Sequence, residues 1–380
     1  MFKRTLLLTS SALLAFAPAA SAGDGHGHGH GHGHGPKVIA QGLDNPRGID
    51  LARSGALYVA EAGRGGAGPC IEGGEGGEVC VGSTGAITKV GHGRTHRVIR
   101  GLPSTAGEGG VGATGPQDVD VSRFGYGSFV TGLGGTPEDR AALGAEGDGL
   151  GRLFAFTPFG RAYRQADLAG YEGTADPDKD VPGSEGVDSN PTGVLNDHRG
   201  YVAVDAGGND LLRVGFGGNV STLAVFGSQF VDAPPFLGLP PGTQIPSQAV
   251  PTAVAKGPDG AYYVSQLTGF PFPPGKASIF RVVPGSPPTV YASGLTNVTD
   301  LAFDRHGNLY VVEISKRGLL TEPPNEPDSA GDVIRIRRNG KRRVVADLPT
   351  PYGVAVGRRG AIYVTIHSAT AGGGEVVRLR

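Results

Sequence analysis

A sequence repeat constrains the fold of this chain more than any other feature. The stretch NPRGIDLARSGALYVAEA, residues 45–62, contains an apolar run, a short polar break that ends in glycine, and a second apolar run. This pattern predicts two short antiparallel strands joined by a tight turn. Related stretches return five more times, at residues 115–132, 190–207, 250–267, 297–314 and 350–367.

Each copy is followed by a second, weaker strand pair, such as residues 85–102 and 331–348. One unit therefore has four antiparallel strands, A to D, and such repeats are the signature of a β-propeller. The last copy stops after strand C at residues 374–380, whereas a spare D-like strand precedes the first copy at residues 37–43. The sequence predicts an all-β, six-bladed β-propeller of four-stranded antiparallel blades, with the ring closed by the N-terminal strand completing the last blade.

The start of the chain has the pattern of an export signal. Positive charge in MFKR is followed by the apolar stretch TLLLTSSALLAFA and by the small-residue segment PAASA, which ends at Ala22. The apolar stretch is shorter than the roughly 20 residues that a membrane helix needs, so we expect no transmembrane segment in the mature chain. The sequence predicts a signal peptide at residues 1–22, a Gly/His-rich flexible tether at 23–36, a propeller at 37–380, and a secreted or periplasmic location.

The cysteines and the net charge indicate the redox compartment of the protein and the class of partner that it binds. Cys70 and Cys80 are the only cysteines, and both lie in the Gly-rich insertion PCIEGGEGGEVC. In an oxidising compartment this pair predicts a disulfide. The formal net charge of −1 is too balanced to indicate a nucleic-acid partner. We expect a monomer whose partner is a small molecule, a peptide or an envelope polymer.

Loop length distinguishes the two faces of the predicted ring. The A–B and C–D turns share the tight-turn face, which comprises residues 52–56, 91–97, 122–126, 157–161, 196–200, 215–219, 256–260, 284–288, 304–308, 337–342 and 357–361. The B–C and D–A connections share the loop-rich face, which comprises residues 61–84, 103–115, 132–150, 169–190, 205–210, 226–250, 265–276, 313–332 and 367–375. Loops on a rigid scaffold are where function tends to lie, so the loop-rich face is the candidate recognition surface.

Charge divides the same two faces. The tight-turn face carries 14 basic and 3 acidic residues, whereas the loop-rich face carries 24 acidic and 6 basic residues. The acidic face is expected to attract cations or cationic ligands, and the basic face anionic envelope polymers or lipids.

Polar residues near the ends of strands A and B are predicted to meet around the channel mouth. Acids, an arginine and a histidine around a pore could bind a metal ion or a polar small molecule. They could equally cap strand ends and satisfy backbone groups. The candidates are Arg47, Glu61, Gln117, Asp118, Asp205, Gln266, Asp300, Glu313 and His367.

The loop DPDKDVPGSEGVD, residues 176–188, is a candidate calcium site. Oxygen ligands at alternate positions suit Ca²⁺. Val181 stands where a helix–loop–helix calcium loop needs glycine, and Val187 where it needs a bidentate glutamate, so a solvated acidic loop is the alternative interpretation. The candidate ligands are Asp176, Asp178 and Asp180.

The segment GHGHGHGHGHG, residues 25–35, places five histidines two residues apart on the flexible tether. Imidazoles are ligands for zinc, copper and nickel. The segment is predicted either to bind such a metal or to act as a solvated spacer. The candidate ligands are His26, His28, His30, His32 and His34.

The repeats resemble those of a known family. Their P-x-G or P-T-A openings and G-x-x-Y-V cores look like blades of six-bladed TolB-like or NHL-type propellers. Residues 37–380 resemble the ScyD/ScyE family of exported bacterial proteins, chiefly through VIAQGLDNPRGIDLARSGALYVAEAG and GLTNVTDLAFDRHGNLYVVEIS. The resemblance implies the fold and export, and it carries over no catalytic residue.

Three hypotheses about function follow. The leading one is a ligand-binding or scaffolding module in the cell envelope or extracellular matrix, with recognition by the loop-rich face. The second is a metal-dependent hydrolase or lactonase at the channel mouth, because propellers of this ring size include such enzymes. No Ser-His-Asp order or HExxH motif is present, and binding without catalysis is the preferred interpretation. The third is extracytoplasmic metal binding through the His-rich tether.

Overall fold

The computed structural model describes residues 35–379 except residues 75, 92, 123, 185 and 322–329. Strands make up 51% of the structure and helices 7%, which confirms the predicted all-β class. Among the described residues, no helix has the length and apolarity to span a membrane. The predicted signal peptide and the five tether histidines lie outside the described residues.

The strands form the six four-stranded antiparallel blades of a propeller. The chain begins with β1 (Lys37–Leu43), which belongs to blade 6. Blade 1 contains β2 (Pro46–Leu51), β3 (Leu57–Glu61), the short accessory strand β4 (Cys70–Glu72), β5 (Glu78–Gly91) and β6 (Arg94–Ala106). Blade 2 contains β7 (Pro116–Val121), β8 (Gly127–Thr131), β9 (Arg152–Phe156) and β10 (Ala162–Asp167). Blade 3 contains β11 (Pro191–Asp197), β12 (Gly200–Asp205), β13 (Asp210–Gly215) and β14 (Val220–Val225).

The remaining blades follow the same order. A hairpin of β15 (Gln229–Asp232) and β16 (Gln244–Ser247) precedes blade 4. Blade 4 contains β17 (Pro251–Lys256), β18 (Tyr262–Gln266), β19 (Ala277–Val282) and β20 (Thr289–Leu295). Blade 5 contains β21 (Val298–Phe303), β22 (Leu309–Glu313), β23 (Ala330–Ile336) and β24 (Arg342–Pro349). Blade 6 contains β25 (Val354–Val356), β26 (Ile362–Ile366), β27 (Gly374–Arg378) and β1.

Strand β1 closes the ring, as the sequence predicts. It pairs antiparallel with β27, in register from Lys37 opposite Arg378 to Leu43 opposite Gly374. The sheet of blade 6 thus joins the two ends of the chain in the order β1, β27, β26, β25. The pairing removes a sheet edge that would otherwise be open.

The core lies between neighbouring blades. Every residue of β3 and of β22 is buried, because each blade packs against a neighbour on both sides. Tyr58 and Ile87 of blade 1 pack in one cluster with Phe129 and Phe154 of blade 2, whose rings stack at 4.8 Å. Strands buried on both sides appear in the sequence as short continuous apolar runs such as LYV, and this is why the repeat is visible there.

Loops and short helices project from this scaffold on the loop-rich face. Helices α1 (Pro137–Ala142) and α2 (Gly144–Gly147) lie between β8 and β9, and α3 (Leu168–Ala175) follows β10. The predicted disulfide is confirmed: Cys70 of β4 is bonded to Cys80 of β5, with their Cα atoms 4.0 Å apart. It ties a Gly-rich insertion to blade 1.

Candidate cation-binding site

Helix α3 lies between blades 2 and 3 and is held by its N-terminal residue. Asp167 caps the helix and accepts a hydrogen bond from Gly170 N at 2.9 Å. The same carboxylate accepts two hydrogen bonds from Arg140, at 2.6 and 2.8 Å. The helix ends at Asp176, which adopts a left-handed conformation with φ 40°. These contacts fix the orientation of Glu172, a buried residue of the helix.

Carboxylates from α3, from the loop after it and from β13 gather at blade 3. The acidic site comprises Glu172, Asp176, Asp178 and Asp210. Carboxylate oxygens of the first three all lie within 4.8 Å of one another. Gly208 permits this approach, because a Cβ at that position would lie 2.7 Å from Glu172 Oε2. Asp210, the first residue of β13, is fully buried and close enough to Glu172 and Asp178 for their charges to affect it.

Most of these oxygens have no partner in the protein. Glu172 is 1% exposed and Asp210 is 0% exposed, yet none of their four carboxylate oxygens accepts a hydrogen bond from the described residues. One buried oxygen of Asp176 is in the same situation, whereas Asp178 accepts a hydrogen bond from Asn209 at 2.8 Å. No ion pair within the described part of the chain involves the four acids. Buried carboxylates without a counter-charge are costly, so the arrangement indicates a cation.

The electrostatics of the acidic site agree with its geometry. Burial, followed by the charge of Asp205, raises the pKa of Glu172 to about 8. Burial also raises the pKa of Asp210 well above its ordinary value. The charge of Asp188 also acts on Glu172. Desolvation of its carboxylate by the surrounding protein, followed by the charge of Asp205, raises the pKa of Asp188 to about 6. The raised pKa values show that the acidic site disfavours ionised carboxylates unless a cation balances their charge.

Asp205 borders the acidic site but serves a different purpose. Its Oδ1 accepts hydrogen bonds from Asn190 N at 2.6 Å and from Gly207 N at 3.2 Å. Its Oδ2 accepts a hydrogen bond from Ser189 Oγ at 2.6 Å. The carboxylate thus caps the end of strand β12, as one of the two sequence interpretations proposes, and adds negative charge beside the acidic site.

Blade 1 shows how the same strand position is neutralised by the protein itself. Glu61, which ends strand β3, is 0% exposed and pairs with Arg97 at 2.6 Å. Arg97 also pairs with Asp44 at 2.8 Å, and Thr88 donates a short hydrogen bond to Glu61. The hydrogen bond to Glu61 raises the pKa of Arg97. The acidic site of blade 3 contains more carboxylates and no corresponding arginine.

The chemistry of the acidic site favours a hard cation. All of its candidate ligands are carboxylate oxygens, which Ca²⁺ and Mg²⁺ prefer. Histidine and cysteine, the preferred ligands of Zn²⁺, are absent from the four residues. Two oxygens bound to one Ca²⁺ at about 2.3–2.6 Å can be up to about 5 Å apart. The observed spacing of the Glu172, Asp176 and Asp178 oxygens, within 4.8 Å, fits that limit.

The sequence located part of the acidic site. Asp176 and Asp178, two of the three predicted calcium ligands, contribute to it, whereas Asp180 is exposed and is not among the clustered carboxylates. Glu172 and Asp210 were not predicted as ligands. The available signal was the short B–C connection DAGGND, which places a second acid only five residues after Asp205.

Two predicted channel residues, Asp118 and Asp300, link neighbouring blades. Asp118 accepts a hydrogen bond from Val194 N of the next blade at 2.9 Å, and Asp300 accepts one from Val354 N at 2.7 Å. The second oxygen of each accepts the N–H of the following residue in its own strand. Burial, followed by the charge of Asp300, raises the pKa of Asp118, and burial raises the pKa of Asp300 to about 7. Both carboxylates are engaged by backbone groups.

The other channel-mouth candidates contact backbone or are enclosed by protein. Arg47 donates to two backbone carbonyls, each at 2.9 Å. Gln266 accepts a backbone N–H at 3.0 Å, and Glu313 accepts one at 2.8 Å. Gln117 is buried, and His367 is half-buried with a left-handed φ of 51°. Most of these side chains are thus engaged by the protein itself, and a ligand set at the channel mouth stays a prediction.

Comparison with known proteins shows the fold. No protein-family model matches the chain, and no curated protein matches it in sequence. A protein of unknown function from Bacteroides thetaiotaomicron is 11% identical, with a TM-score of 0.53 over 91% of this chain and 72% of that chain. Streptogramin B lyase is 12% identical, with a TM-score of 0.49 over 90% of this chain and 95% of that chain. The calcium-binding protein regucalcin from Agrobacterium tumefaciens is 12% identical, with a TM-score of 0.49 over 90% and 92%.

At sequence identities of 11–12%, the structural similarity shows the fold alone. The class of protein that the fold defines is a six-bladed β-propeller. Membership of the ScyD/ScyE family stays a prediction.

Proposed function

We propose that the protein is an exported β-propeller that binds ligands through its loop-rich face, and that the acidic site of blade 3 holds a divalent cation, which its ligand chemistry identifies as Ca²⁺. The observation that carries this proposal is the pair Glu172 and Asp210, two buried carboxylates that receive no hydrogen bond from the described protein. A bound cation balances their charge. It also joins α3 and the loop after it to blade 3.

A bound cation would also affect how the loop-rich face binds its partner. Asp176 and Asp178 belong to the connection between blades 2 and 3, which is one of the longer insertions of the loop-rich face. A cation bound there orders the connection and lowers the entropy lost when a partner binds. The partner class stays as the sequence predicts: a small molecule, a peptide or an envelope polymer.

Two features support export. The Cys70–Cys80 disulfide is typical of proteins from oxidising compartments. The N-terminal signal pattern at residues 1–22 lies outside the described residues and is a sequence-based prediction. Extracytoplasmic Ca²⁺ sites bind weakly, with dissociation constants of about 0.1–1 mM, so a site of four carboxylates suffices.

Two other functions have less support. At the channel mouth, every carboxylate oxygen of Asp118 and Asp300 accepts a backbone N–H. The oxygens of Glu172 and Asp210 have no partner among the described residues and are the stronger indication of a cation. Metal binding by the tether histidines rests on the sequence alone. The tether is proposed as a separate site for Zn²⁺, Cu²⁺ or Ni²⁺, which its imidazoles prefer.

Calorimetric titration with Ca²⁺ tests the proposal. The intact protein is expected to bind one Ca²⁺, and Asp210→Asn is expected to lower the affinity by at least about tenfold because it removes a buried negative charge from the site. Saturation at about 100 times the dissociation constant is expected to stabilise the protein by about 2.7 kcal/mol, visible as a rise in Tm. At the same Ca²⁺ concentration a tenfold weaker site stabilises by only about 1.4 kcal/mol, so Asp210→Asn should reduce that rise to about half or less. The Tm of the variant without Ca²⁺ should be equal or higher, because the substitution removes buried repulsion.

Asp180→Asn is the matched control, because Asp180 is an exposed acid of the same loop. Its Ca²⁺ affinity should equal that of the intact protein. Equal affinity loss in Asp180→Asn and Asp210→Asn would contradict a site at Asp210. A separate titration with Zn²⁺ after deletion of residues 25–35 isolates the tether, and loss of Ca²⁺ binding in that deletion would move the calcium site to the tether.

A further inference from the structure

Four large aromatic side chains are exposed on the tight-turn face. Phe159 is 94% exposed, Phe124 and Phe216 are each 66% exposed, and Tyr126 is 56% exposed. All four lie in turns of blades 2 and 3, and together they are called the aromatic patch. Exposed apolar groups that cluster in this way mark interaction sites.

The turns that carry the aromatic patch touch one another. A Cβ built on Gly125 would lie 3.3 Å from Pro158 Cβ, so the A–B and C–D turns of blade 2 are in contact. The backbone carbonyl of Phe216 accepts a hydrogen bond from Gln165 of blade 2 at 2.7 Å. The aromatic side chains therefore belong to one continuous region across two blades.

An apolar cleft lies within this region. Its volume is about 280 Å³, and it separates the A–B turn of blade 2 from blade 3. Tyr201 and Phe216 form one wall, with their rings 5.9 Å apart in a T-shaped arrangement. Tyr126 and Phe156 line the other side.

Basic residues share the tight-turn face with the aromatic patch. Exposed arginines occupy the turn tips of other blades, among them Arg358 and Arg359 of blade 6. The acids of the face are mostly paired: Asp197 contacts Lys256 at 3.1 Å, and Asp259 contacts Arg281 at 2.7 Å. The face is therefore positively charged around an apolar region. Arg97 is an exception, because it pairs with Glu61 and Asp44.

We propose that the tight-turn face docks on an anionic phospholipid surface, with the aromatic patch in the interfacial layer and the arginines on the headgroups. Aromatic rings partition into the lipid interface, and basic residues are attracted to an anionic surface. Neither contribution alone gives stable docking, but the two together do.

Charge and shape select this occupant over others. A second copy of the chain would place two basic faces against each other, and like charges repel. A hydrated anionic polymer satisfies the arginines but leaves Phe159 and Phe124 in water. The proposal does not depend on the acidic site, which lies on the opposite face.

Vesicle co-sedimentation tests the proposal on the intact protein, with EDTA present so that Ca²⁺ cannot bridge it to lipid. The intact protein is expected to bind phosphatidylcholine vesicles that contain phosphatidylglycerol at least about tenfold more tightly than vesicles of phosphatidylcholine alone. Raising NaCl from about 0.1 M to about 1 M shortens the Debye length from about 10 Å to about 3 Å and should weaken binding.

A triple variant and a double variant separate the contribution of the aromatic patch from a general effect of removing exposed phenylalanines. Phe124→Ser with Phe159→Ser and Phe216→Ser is expected to weaken binding to the anionic vesicles at least about tenfold. Phe230→Ser with Phe236→Ser is the matched control, because these side chains are 60% and 67% exposed on the loop-rich face. The control should bind like the intact protein, and all proteins should retain their Tm.

Three results would overturn the proposal. The first is no binding of the intact protein to anionic vesicles, and the second is equal loss in the control and the triple variant. The third is a dimer in size-exclusion chromatography that only the triple variant abolishes, which assigns the aromatic patch to a second copy. As an independent check, Arg358→Glu with Arg359→Glu should weaken binding to the anionic vesicles and leave binding to neutral vesicles unchanged.

Discussion

Single carboxylates at the end of strand B organise three of the six blades. Glu61, Asp205 and Glu313 are buried, and each accepts a backbone N–H from the segment that enters strand A of the same blade, at 2.6–2.8 Å. The shared contact ties the two strands together at the loop-rich face. The blades differ in how the remaining charge is balanced: Arg97 balances it in blade 1, whereas blade 3 has the acidic site.

Removal of Arg97 tests the importance of this balance. Arg97→Met leaves Glu61 buried and unpaired, because Glu61 is 0% exposed. We expect a loss of about 3 kcal/mol in the free energy of unfolding, at the lower end for broken buried pairs because Arg97 is partly exposed. Urea denaturation measures the loss. Glu61→Gln combined with Arg97→Met should recover most of it, and a cost below about 1 kcal/mol for Arg97→Met would contradict the role assigned to the pair.

The raised pKa of Glu313 predicts that the stability of the protein depends on pH. Burial raises its pKa from 4.5 to about 7. Between these values the unfolded chain releases a proton that the folded protein retains, so stability falls as pH rises from about 4.5 to about 7, by at most about 3 kcal/mol. Glu313→Gln keeps the acceptor for the backbone and should flatten this fall in urea denaturation. Glu138→Gln, at an exposed position, should leave the fall unchanged; parallel curves for all three proteins would contradict the assignment.

At the scale of elements, the sequence predicts strands better than helices. The A–B hairpins are visible because both strands carry apolar runs buried on two sides, with a glycine between them. Helix α3 was not predicted, because LAGYEGTA contains two glycines and is only eight residues long. Its stability comes from the local Asp167 cap and from Arg140, which lies 27 residues before Asp167. Glu172 depends on that helix, so its place in the acidic site could not be inferred from the pattern.

The cap of α3 is expected to position Glu172. Asp167→Ala removes the N-cap and the partner of Arg140, with an expected loss of about 1–2 kcal/mol in stability. It should also lower Ca²⁺ affinity by about tenfold, because the helix no longer holds Glu172 in place. Thr136→Ala removes the cap of α1 and is the matched control. If both variants lower stability and neither changes Ca²⁺ affinity, α3 does not position the ligand.

At the scale of the whole molecule, ring closure depends on β1. Deletion of residues 37–43 leaves β27 with an open edge and removes Leu43, which is 2% exposed. We expect loss of cooperative thermal unfolding or a large fall in Tm, because six blades pack in a closed ring. Deletion of residues 25–35 should leave the Tm unchanged. Equal melting of the two deletions would show that β1 does not close the ring.

The ring also separates two surfaces by charge and by side-chain type. The loop-rich face is acidic and carries the acidic site, and the tight-turn face is basic and carries the aromatic patch. The sequence predicts this division of charge, because turn and loop positions follow from the repeat. The gathering of Glu172, Asp176, Asp178 and Asp210 into one site depends on how a loop folds back on blade 3, which no periodic pattern encodes.

The most direct test of the central claim is an anomalous difference map from crystals of the intact protein grown with Ca²⁺. A single peak is expected about 2.3–2.6 Å from carboxylate oxygens of Glu172, Asp176 and Asp178, next to Asp210. A peak in the central channel beside Asp118 and Asp300 instead, or no peak at blade 3 at saturating Ca²⁺, would contradict the account.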